Sequence, residues 1–260
     1  MQYQKDILIL NHCLFSRLAG TTLVRDDSVL VLNLRNPGHQ QSNLCFRLRL
    51  QLESFSTFLH ETLAAFTRAG IQPRYIIDSL VTPSLETVVD AFEQAEFHVE
   101  RDQDIILSWE EANHIPVPSS KRVLARKATE NDRDALCALF GLAFGYSEVD
   151  WLTYKIQCQL DDPRTFPVYL IEQDGKVASA TILNLPPGLT IGHVNVCATH
   201  PDYQRQGLAA ACLDQALLKE ARGRKMYLEV YDEIIHAQRM YQQLGFRIEG
   251  PLACFAATKK

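Results

Sequence analysis

No stretch of this sequence approaches the roughly 20 consecutive apolar residues that a membrane-spanning helix needs. The amino terminus, MQYQKDILIL, lacks the basic region and sustained apolar run of a secretory signal. The seven cysteines include no CxxC pair, so neither a disulfide framework nor a zinc site is indicated. We therefore predict a cytoplasmic protein, with the nucleus as the alternative, that has no membrane partner and binds no metal.

Basic residues are also fewer than acidic ones. The chain has 26 lysines and arginines against 31 aspartates and glutamates, which gives a formal net charge of -5 at pH 7. Non-specific binding to nucleic acid usually needs a basic surface, so this balance argues against a nucleic-acid partner and mildly favours cationic partners. Hydrophobic residues make up 47% and charged residues 22%, as in ordinary soluble domains, so we expect the chain to fold throughout.

The length of 260 residues favours two modest domains. Hydrophobic periodicity is lost around Pro116 and Pro118, which favour extended backbone in a polar surrounding. We predict a linker at residues 113–121, between an amino-terminal domain at 1–112 and a carboxyl-terminal domain at 122–260.

The carboxyl-terminal half alternates β-rich runs with helical stripes. A helix is predicted after Thr129, because the apolar residues that follow have the spacing of one buried helical face. Asp174-Gly175 favours a tight hairpin between two short strands, since this dipeptide readily adopts positive φ. The last strands are expected at residues 246–248 and 253–258, where they would close this domain.

The amino-terminal half repeats this order of elements. Its predicted elements are a strand at 44–50, a helix at 55–69, a strand at 75–78 and a helical stripe from 85 to 92. AFEQAEFHV at residues 91–99 then aligns without a gap with MYQQLGFRI at 240–248, and we infer a degenerate duplication. Residues 51–55, QLESF, contain no glycine where the second half has Gly207, so we expect the first half not to bind a diphosphate there.

A polar loop, QRQGLA at residues 204–209, joins a strand that ends at Thr199 to a helix. A helix start presents unpaired backbone N–H groups and the positive end of the helix dipole, so it attracts phosphate. Gly207 leaves that approach open, and Arg205 can add a charge-assisted contact. A loop with one glycine is also compatible with a plain helix start. The GxxxxGK[ST] and GxGxxG phosphate loops are both absent.

Over residues 122–258 the chain resembles the GNAT family of acyl-CoA N-acyltransferases. The family signature [RQ]-x-x-G-x-[GA] is matched by Gln204, Gly207 and Ala209. Three further segments match in order. They are VLARKATENDRDALCALFGLAFG, similar to the family's first strand and helix, CATHP, similar to the strand end before the signature, and AQRMYQQLGF, similar to the A-x-x-x-Y-x-x-x-GF ending.

The resemblance implies an α/β (α+β) fold, with a mixed, mainly antiparallel, twisted sheet flanked by helices, in tandem with a degenerate GNAT-like half. It implies acetyl-coenzyme A (acetyl-CoA) as cofactor, with pantetheine inserted like an extra strand between two splayed strands. The residues implied to bind pantetheine and diphosphate are Cys197, Ala198, Thr199, Gln204, Arg205, Gln206, Gly207, Leu208, Ala209 and Ala210. Ile234 stands where relatives often have asparagine, so one side-chain contact to the pantetheine region is expected to be absent.

Two residues are implied as catalytic. Tyr241 stands where relatives carry a tyrosine that protonates the departing thiolate, and its phenol keeps its proton at neutral pH. It also lies on an apolar helical stripe, so a core tyrosine is the alternative. His193 stands where some relatives carry a glutamate base, and imidazole titrates near neutrality. A structural histidine, with ordered water as the base, is the alternative there.

The acceptor is expected to contact the segment after the first helix of the second half. The candidates are Tyr146, Glu148, Asp150 and Trp151, because the carboxylates can attract a cationic amine and the indole can stack on it. A solvated loop with one packed aromatic is the alternative. Cys197 is interpreted as a small buried residue rather than a nucleophile, because no histidine and acid can be placed beside it.

The leading hypothesis is an N-acetyltransferase, an acyltransferase that moves an acetyl group from acetyl-CoA to a primary amine by direct attack in a ternary complex. The alternative from another class is a non-catalytic acyl-CoA binding or sensing module, in which the first half recognises a partner. A third interpretation is a scaffold in which the two halves pair their sheets within a homodimer.

Overall fold

The computed structural model describes residues 1–101, 103–118, 123–146 and 149–259. Contacts divide the chain into two units, one of Met1–Asp104 with Pro251–Lys260 and one of Ile105–Gly250. This division differs from the predicted division at the linker, since residues 105–112 group with the second unit and residues after 250 with the first.

The helices and strands follow in chain order. They are α1 (Gln2–Leu18), β1 (Thr21–Val24), β2 (Val29–Leu32), β3 (Leu44–Phe46), α2 (Phe55–Ala69), β4 (Arg74–Asp78), α3 (Leu85–Gln94), β5 (His98–Glu100), β6 (Gln103–Trp109), β7 (Arg126–Lys127), α4 (Arg133–Phe144), α5 (Asp150–Asp161), β8 (Val168–Gln173), β9 (Lys176–Asn184), β10 (Ile191–Thr199), α6 (Leu208–Glu220), β11 (Lys225–Tyr231), α7 (Ile235–Gln243) and β12 (Arg247–Thr258).

The first unit is a sheet with a core on each face. Its strands follow the order β1-β2-β3-β4-β12, with β5 also paired to β12 and β3–β4 as a parallel pair. Alternate residues of a strand point to opposite faces. Cys45 and Tyr75 accordingly pack with α2 and α3, whereas Phe46 and Ile76 pack with Phe15 of α1.

The second unit contains the sheet order β6-β11-β10-β9-β8-β7. The pairs β7–β8, β8–β9 and β9–β10 are antiparallel, whereas β10–β11 is parallel. Helix α6 contacts β8, β9 and β10, and α4 contacts β9 and β10. The predicted fold class, a mixed and mainly antiparallel sheet flanked by helices, is confirmed.

Most predicted elements of the chain are present, and two strands differ. The hairpin between β8 and β9 turns at Asp174 and Gly175, with φ of 53 and 74°. The predicted strand at 44–50 ends at Phe46, because Arg47 adopts a φ of 55° and interrupts the extended backbone. Residues 253–258 belong to β12 and pair with β4 and β5 of the first unit, so they do not close the second. An apolar pattern indicates a strand but does not select its partner.

The predicted helix start after Thr129 is a short turn that leads into α4 through Asp132. The Asp132 carboxylate accepts a hydrogen bond from Thr129 N at 2.8 Å. It also accepts two bonds from the Arg126 guanidinium, at 2.8 and 2.6 Å. The Arg126 contacts, with those from Thr129, lower the pKa of Asp132 to about 2.

Replacing Asp132 with asparagine is expected to lower the free energy of unfolding at pH 7 by about 1–2 kcal/mol, a modest effect because Arg126 is 43% exposed. The folded-state pKa lies below the unfolded value of about 3.9, so this stabilisation is present above pH ~4 and is lost as the pH falls toward ~2. Urea unfolding across this range should show that the difference in free energy of unfolding between wild type and variant becomes smaller as the pH falls. Asp134→Asn is the control, since its side chain is 82% exposed. A difference that does not vary with pH would contradict the assignment.

No helix in the described ranges combines the length and the apolar character needed to cross a membrane.

Candidate active site

Strands β10 and β11 separate in the middle of the second unit's sheet. Their parallel pairing runs from Ile191↔Lys225 to His193↔Tyr227, and no further pair joins these two fully described strands. Strand β10 continues to Thr199 along β9. Residues 194–199 therefore present one backbone edge to a gap between β10 and β11, which is the splayed geometry that the family resemblance implies.

A β-bulge in β10 decides which way the side chains beside this gap point. The register against β9 shifts between Val194 and Val196, which makes Asn195 the extra residue. His193 pairs with Asn184 and Cys197 pairs with Thr181. Because these partners are three residues apart on β9, His193 and Cys197 lie on opposite faces of the sheet.

The loop after β10 forms a cradle of backbone N–H groups. Arg205 and Gly207 adopt left-handed backbone, with φ of 66 and 82°. The first hydrogen bond within α6 joins Ala211 N to Gly207 O at 3.0 Å, so the N–H groups of residues 208–210 precede the helical bonding. These groups and the positive end of the helix dipole face the approach to the helix start, which suits a diphosphate.

The predicted cofactor residues contribute mainly through their backbone. Leu208 buries its side chain in the core, leaving only its backbone for a ligand. Gln204 Nε2 donates to Thr199 O at 3.4 Å, and Ser179 Oγ donates to Ala198 O at 2.9 Å, so both ends of the loop and strand are tied in place. Gln206 is exposed, and Ala209 and Ala210 are half-buried.

Tyr241 lies in the core of the second unit, with Cys197 packed against the same core. Its ring packs edge-to-face on Phe246, with centroids 5.7 Å apart, inside the core of the unit. Cys197 of β10 packs against the same core, close enough for its thiol to affect the Tyr241 hydroxyl. Burial, with a smaller effect of Cys197, raises the pKa of Tyr241 well above its ordinary value, so the phenol holds its proton at neutral pH.

The environment of Cys197 opposes a nucleophilic role. Burial raises the pKa of this thiol, which keeps it protonated. Thr181 Oγ1 lies 3.7 Å from Cys197 Sγ as a donor. Cys197 therefore lies, as a thiol, between Thr181 of β9 and the core that contains Tyr241.

His193 is buried and neutral. Its exposed fraction is 4%, and burial, with a smaller effect of Lys155, lowers its pKa to about 4. His193 Nε2 lies 3.5 Å from Glu229 Oε2. Since the imidazole is uncharged at pH 7, this contact is not an ion pair at that pH.

Glu229 and Lys155 also lie near His193, and the sequence did not indicate them as site residues. Glu229 lies two residues beyond Tyr227, the last β11 residue paired to β10, on the face that His193 also uses. The only sequence signal for Glu229 is that it is an acidic residue within the otherwise largely apolar strand KMYLEVY. Lys155 lies on α5, a helix whose apolar stripe is too weak to indicate it.

The predicted acceptor residues are partly brought together. The rings of Tyr146 and Trp151 lie 5.0 Å apart in an edge-to-face arrangement. Asp150 is exposed in the first turn of α5. Glu148 lies outside the described residues, so its predicted role stays a prediction.

The sequence profile of the acetyltransferase (GNAT) family matches residues 133–246. This segment is a GNAT domain. The match over this segment supports, at the level of the family, an acetyltransferase that uses acetyl-CoA. No group of three or more histidine, cysteine, aspartate or glutamate side chains within the described ranges is arranged to hold a metal ion.

Solved structures share this fold over nearly the whole chain. A GCN5-related N-acetyltransferase from Kribbella flavida is 15% identical with a TM-score of 0.69, over 98% of this chain and 95% of that one. A functionally unknown conserved protein from Staphylococcus epidermidis is 10% identical with a TM-score of 0.67, over 93% and 94%. A tandem GNAT protein from the clavulanic acid biosynthesis pathway is 10% identical with a TM-score of 0.59, over 96% and 87%. No curated protein sequence matches the chain.

The first unit repeats the architecture of the GNAT domain with its gap closed. Its parallel pair, β3 and β4, meets at Cys45↔Tyr75. Beyond that pair, Leu50 N donates to Thr82 O at 3.0 Å and Thr82 N donates to Leu48 O at 3.1 Å. These bonds occupy the backbone edge that β10 leaves open in the GNAT domain.

The aligned helix ends of the two units agree in backbone, and one of their side-chain differences removes a hydroxyl. Glu96 and Gly245 are both left-handed, with φ of 64 and 95°. Phe97 N donates to Phe92 O at 3.0 Å, and the aligned Phe246 N donates to Tyr241 O at 3.1 Å. Phe92 therefore takes the place of Tyr241 without a hydroxyl, so the first unit lacks the phenol as well as the glycine and the gap.

Two clefts of the first unit contain none of the predicted site residues. One, of about 700 Å³, is lined by residues 70–74 together with part of the stretch 37–43. The other, of about 450 Å³, lies between α2 and α3. The predicted catalytic residues, His193 and Tyr241, lie in the GNAT domain instead.

Proposed function

We propose that the GNAT domain transfers an acetyl group from acetyl-CoA to a primary amine, by direct attack in a ternary complex. The observation that carries this proposal is the gathering of a diphosphate cradle, an open strand edge and the Tyr241 hydroxyl around one gap. The sensing module, by contrast, gives no reason for a buried phenol at this edge.

The residues present fit acetyl-CoA. The backbone of Cys197, Ala198 and Thr199 would bond the pantetheine amides, because this edge of β10 is unpaired by β11. The N–H groups at the start of α6 would bind the diphosphate. When bound, acetyl-CoA supplies the thioester whose C–S bond breaks as the N–C bond to the amine forms.

We assign the leaving-group proton to Tyr241, whose raised pKa keeps the phenol protonated until a sulfur anion develops beside it. We assign proton removal from the amine to His193 together with Glu229. His193 accepts the proton at Nδ1 and passes its Nε2 proton to the Glu229 carboxylate, which is 22% exposed and can return it to water. This relay needs only transient charge on an imidazole that burial keeps neutral.

Replacing Tyr241 with phenylalanine is expected to lower kcat about 100-fold, because a positioned acid contributes roughly that factor or more. Affinity for acetyl-CoA should be retained, since the backbone provides those contacts. Thiol release from acetyl-CoA, measured across a panel of primary amines, gives kcat, and calorimetry gives the affinity.

Tyr75→Phe is the matched control, because Tyr75 is a buried tyrosine of the first unit whose hydroxyl is bonded to Thr62 at 2.8 Å. Its kcat should equal that of wild type. If wild type binds acetyl-CoA but releases no thiol with any amine, the proposal fails and the sensing module takes its place.

A further inference from the structure

One face of α5 borders the gap of the GNAT domain. Trp151, Lys155 and Gln159 are spaced by four residues, so their side chains lie along the same helical face. Gln159 is fully buried, and its Nε2 donates to Asn195 Oδ1 at 3.0 Å. Asn195 is the bulge residue of β10, two positions after His193, so this face of α5 lies beside the point where β10 leaves β11.

Two buried acceptor atoms at this border have no partner in the part of the chain that the structure describes. They are Gln159 Oε1 and His193 Nδ1. The contact of His193 Nε2 with the Glu229 carboxylate favours the tautomer with its proton on Nε2, which leaves Nδ1 as an acceptor. A buried acceptor without a donor is unfavourable, because the hydration it has lost is not replaced. An amine provides several N–H donors, the groups that such acceptor atoms require.

Lys155 brings a positive charge to this border, and the Glu229 carboxylate, 3.5 Å from His193 Nε2, brings a negative one. Burial lowers the pKa of the Lys155 ammonium to about 8, so the group is largely protonated at pH 7. It is close enough to His193 to help lower the imidazole pKa. An amine that brings its own carboxylate offers the Lys155 ammonium an opposite charge, whereas a simple amine does not.

An apolar surface lies at the start of α5. The rings of Tyr146 and Trp151 are in contact, and the ring of Phe144 lies 5.7 Å from that of Tyr146. Phe144 is 46% exposed and Tyr146 is 42% exposed, which is high for large aromatic rings. Adjacent exposed rings suit the apolar or aromatic side chain of a ligand.

We propose that the acceptor is a hydrophobic α-amino acid. Its amine contacts Gln159 and His193, and its carboxylate contacts Lys155. Its side chain packs against Tyr146 and Trp151. This acceptor assignment rests on the proposed function and extends it to a substrate class, with an N-acetyl amino acid and CoA as the products.

The test is calorimetric titration of the full chain, saturated with CoA, with L-phenylalanine or 2-phenylethylamine. These ligands share the ring and the amine and differ in the carboxylate. Wild type is expected to bind the amino acid at least about 10-fold more tightly, as one charge-assisted contact contributes roughly 1.5–3 kcal/mol. Lys155→Met should remove that preference while leaving the affinity for the amine unchanged or higher, and Lys155→Arg should keep it. Gln159→Leu should weaken both ligands.

Lys5→Met, on the exposed surface of α1, is the matched control and should behave as wild type. The acceptor assignment is overturned if 2-phenylethylamine binds as tightly as the amino acid, if Lys155→Met weakens both ligands alike, or if neither ligand binds. Binding is read without turnover, so absence of thiol release from wild type would count against the proposed function alone.

Discussion

Replacing Gly207 with glutamate is expected to weaken the binding of CoA about 1,000-fold, or roughly 4 kcal/mol, without unfolding the protein. Gly207 has a φ of 82° and is the residue from which α6 begins. A side chain in this left-handed conformation costs about 1–2 kcal/mol. The larger part of the effect is electrostatic and steric, since the carboxylate would stand at the N–H groups that receive the diphosphate. Calorimetry with CoA gives the affinity, and circular dichroism reports the fold.

Gly223→Glu is the matched control for this change. Gly223 lies beyond the opposite end of α6, also has positive φ, at 70°, and has no heavy atom within 4 Å of an added Cβ. It therefore receives the same backbone strain and the same charge, and its CoA affinity should stay within a few-fold of wild type. Equal losses in the two variants, or unchanged affinity in Gly207→Glu, would refute the placement of the diphosphate.

The loop at Gly207 could be predicted because its information is local. A strand, a polar turn with glycine and a helix follow one another in sequence, and helix physics alone makes that junction attractive to phosphate. The hairpin at Asp174-Gly175 and helix α2 were predictable for the same reason, since turn chemistry and apolar spacing are read within a few residues. The left-handed backbone of Arg205 was not, because arginine gives no signal for it.

The chemistry around His193 depended on features that are not local. The bulge at Asn195 shifts the alternation of β10, so counting residues back from Thr199 places His193 on the wrong face relative to Cys197. Glu229 reaches His193 only because β10 and β11 pair in parallel with a particular register. That register cannot be predicted from the sequence. The borders of the two units could not be predicted from the sequence either. They depend on the pairing of β12 with β4, which tertiary packing decides.

The first unit, which the sequence predicts to be a degenerate repeat, differs from the GNAT domain in more than the missing glycine. Without a glycine loop the first unit also lacks an open strand edge, because the Leu48–Thr82 and Leu50–Thr82 backbone bonds occupy it. A closed edge cannot accept pantetheine as an extra strand, whatever side chains line it. The first unit thus differs from the GNAT domain in backbone pairing, which point mutations in the loop alone would not restore.

Replacing Gly245 with alanine is expected to lower the free energy of unfolding by about 3–4 kcal/mol, which combines overpacking with left-handed strain. A Cβ at Gly245 would lie 2.0 Å from Asn113 O and 2.8 Å from Asn113 C. These are backbone atoms, so no side chain can rotate away. The segment they belong to is held by Ile115 N, which donates to Leu244 O at 3.2 Å, and by the 2.6 Å contact of His114 Nε2 with Asp214 Oδ1. Urea unfolding measures the loss.

The requirement for glycine at 245 comes from this neighbouring segment and not from the helix end itself. Glu96, the aligned residue of the first unit, adopts the same left-handed backbone with a full side chain. Gly70→Ala is the control, because Gly70 ends α2 with a φ of 65° and no heavy atom lies within 4 Å of an added Cβ. It should cost only about 1 kcal/mol, the strain alone. If Gly245→Ala costs no more than Gly70→Ala, the packing of residues 113 and 114 against the end of α7 is wrong.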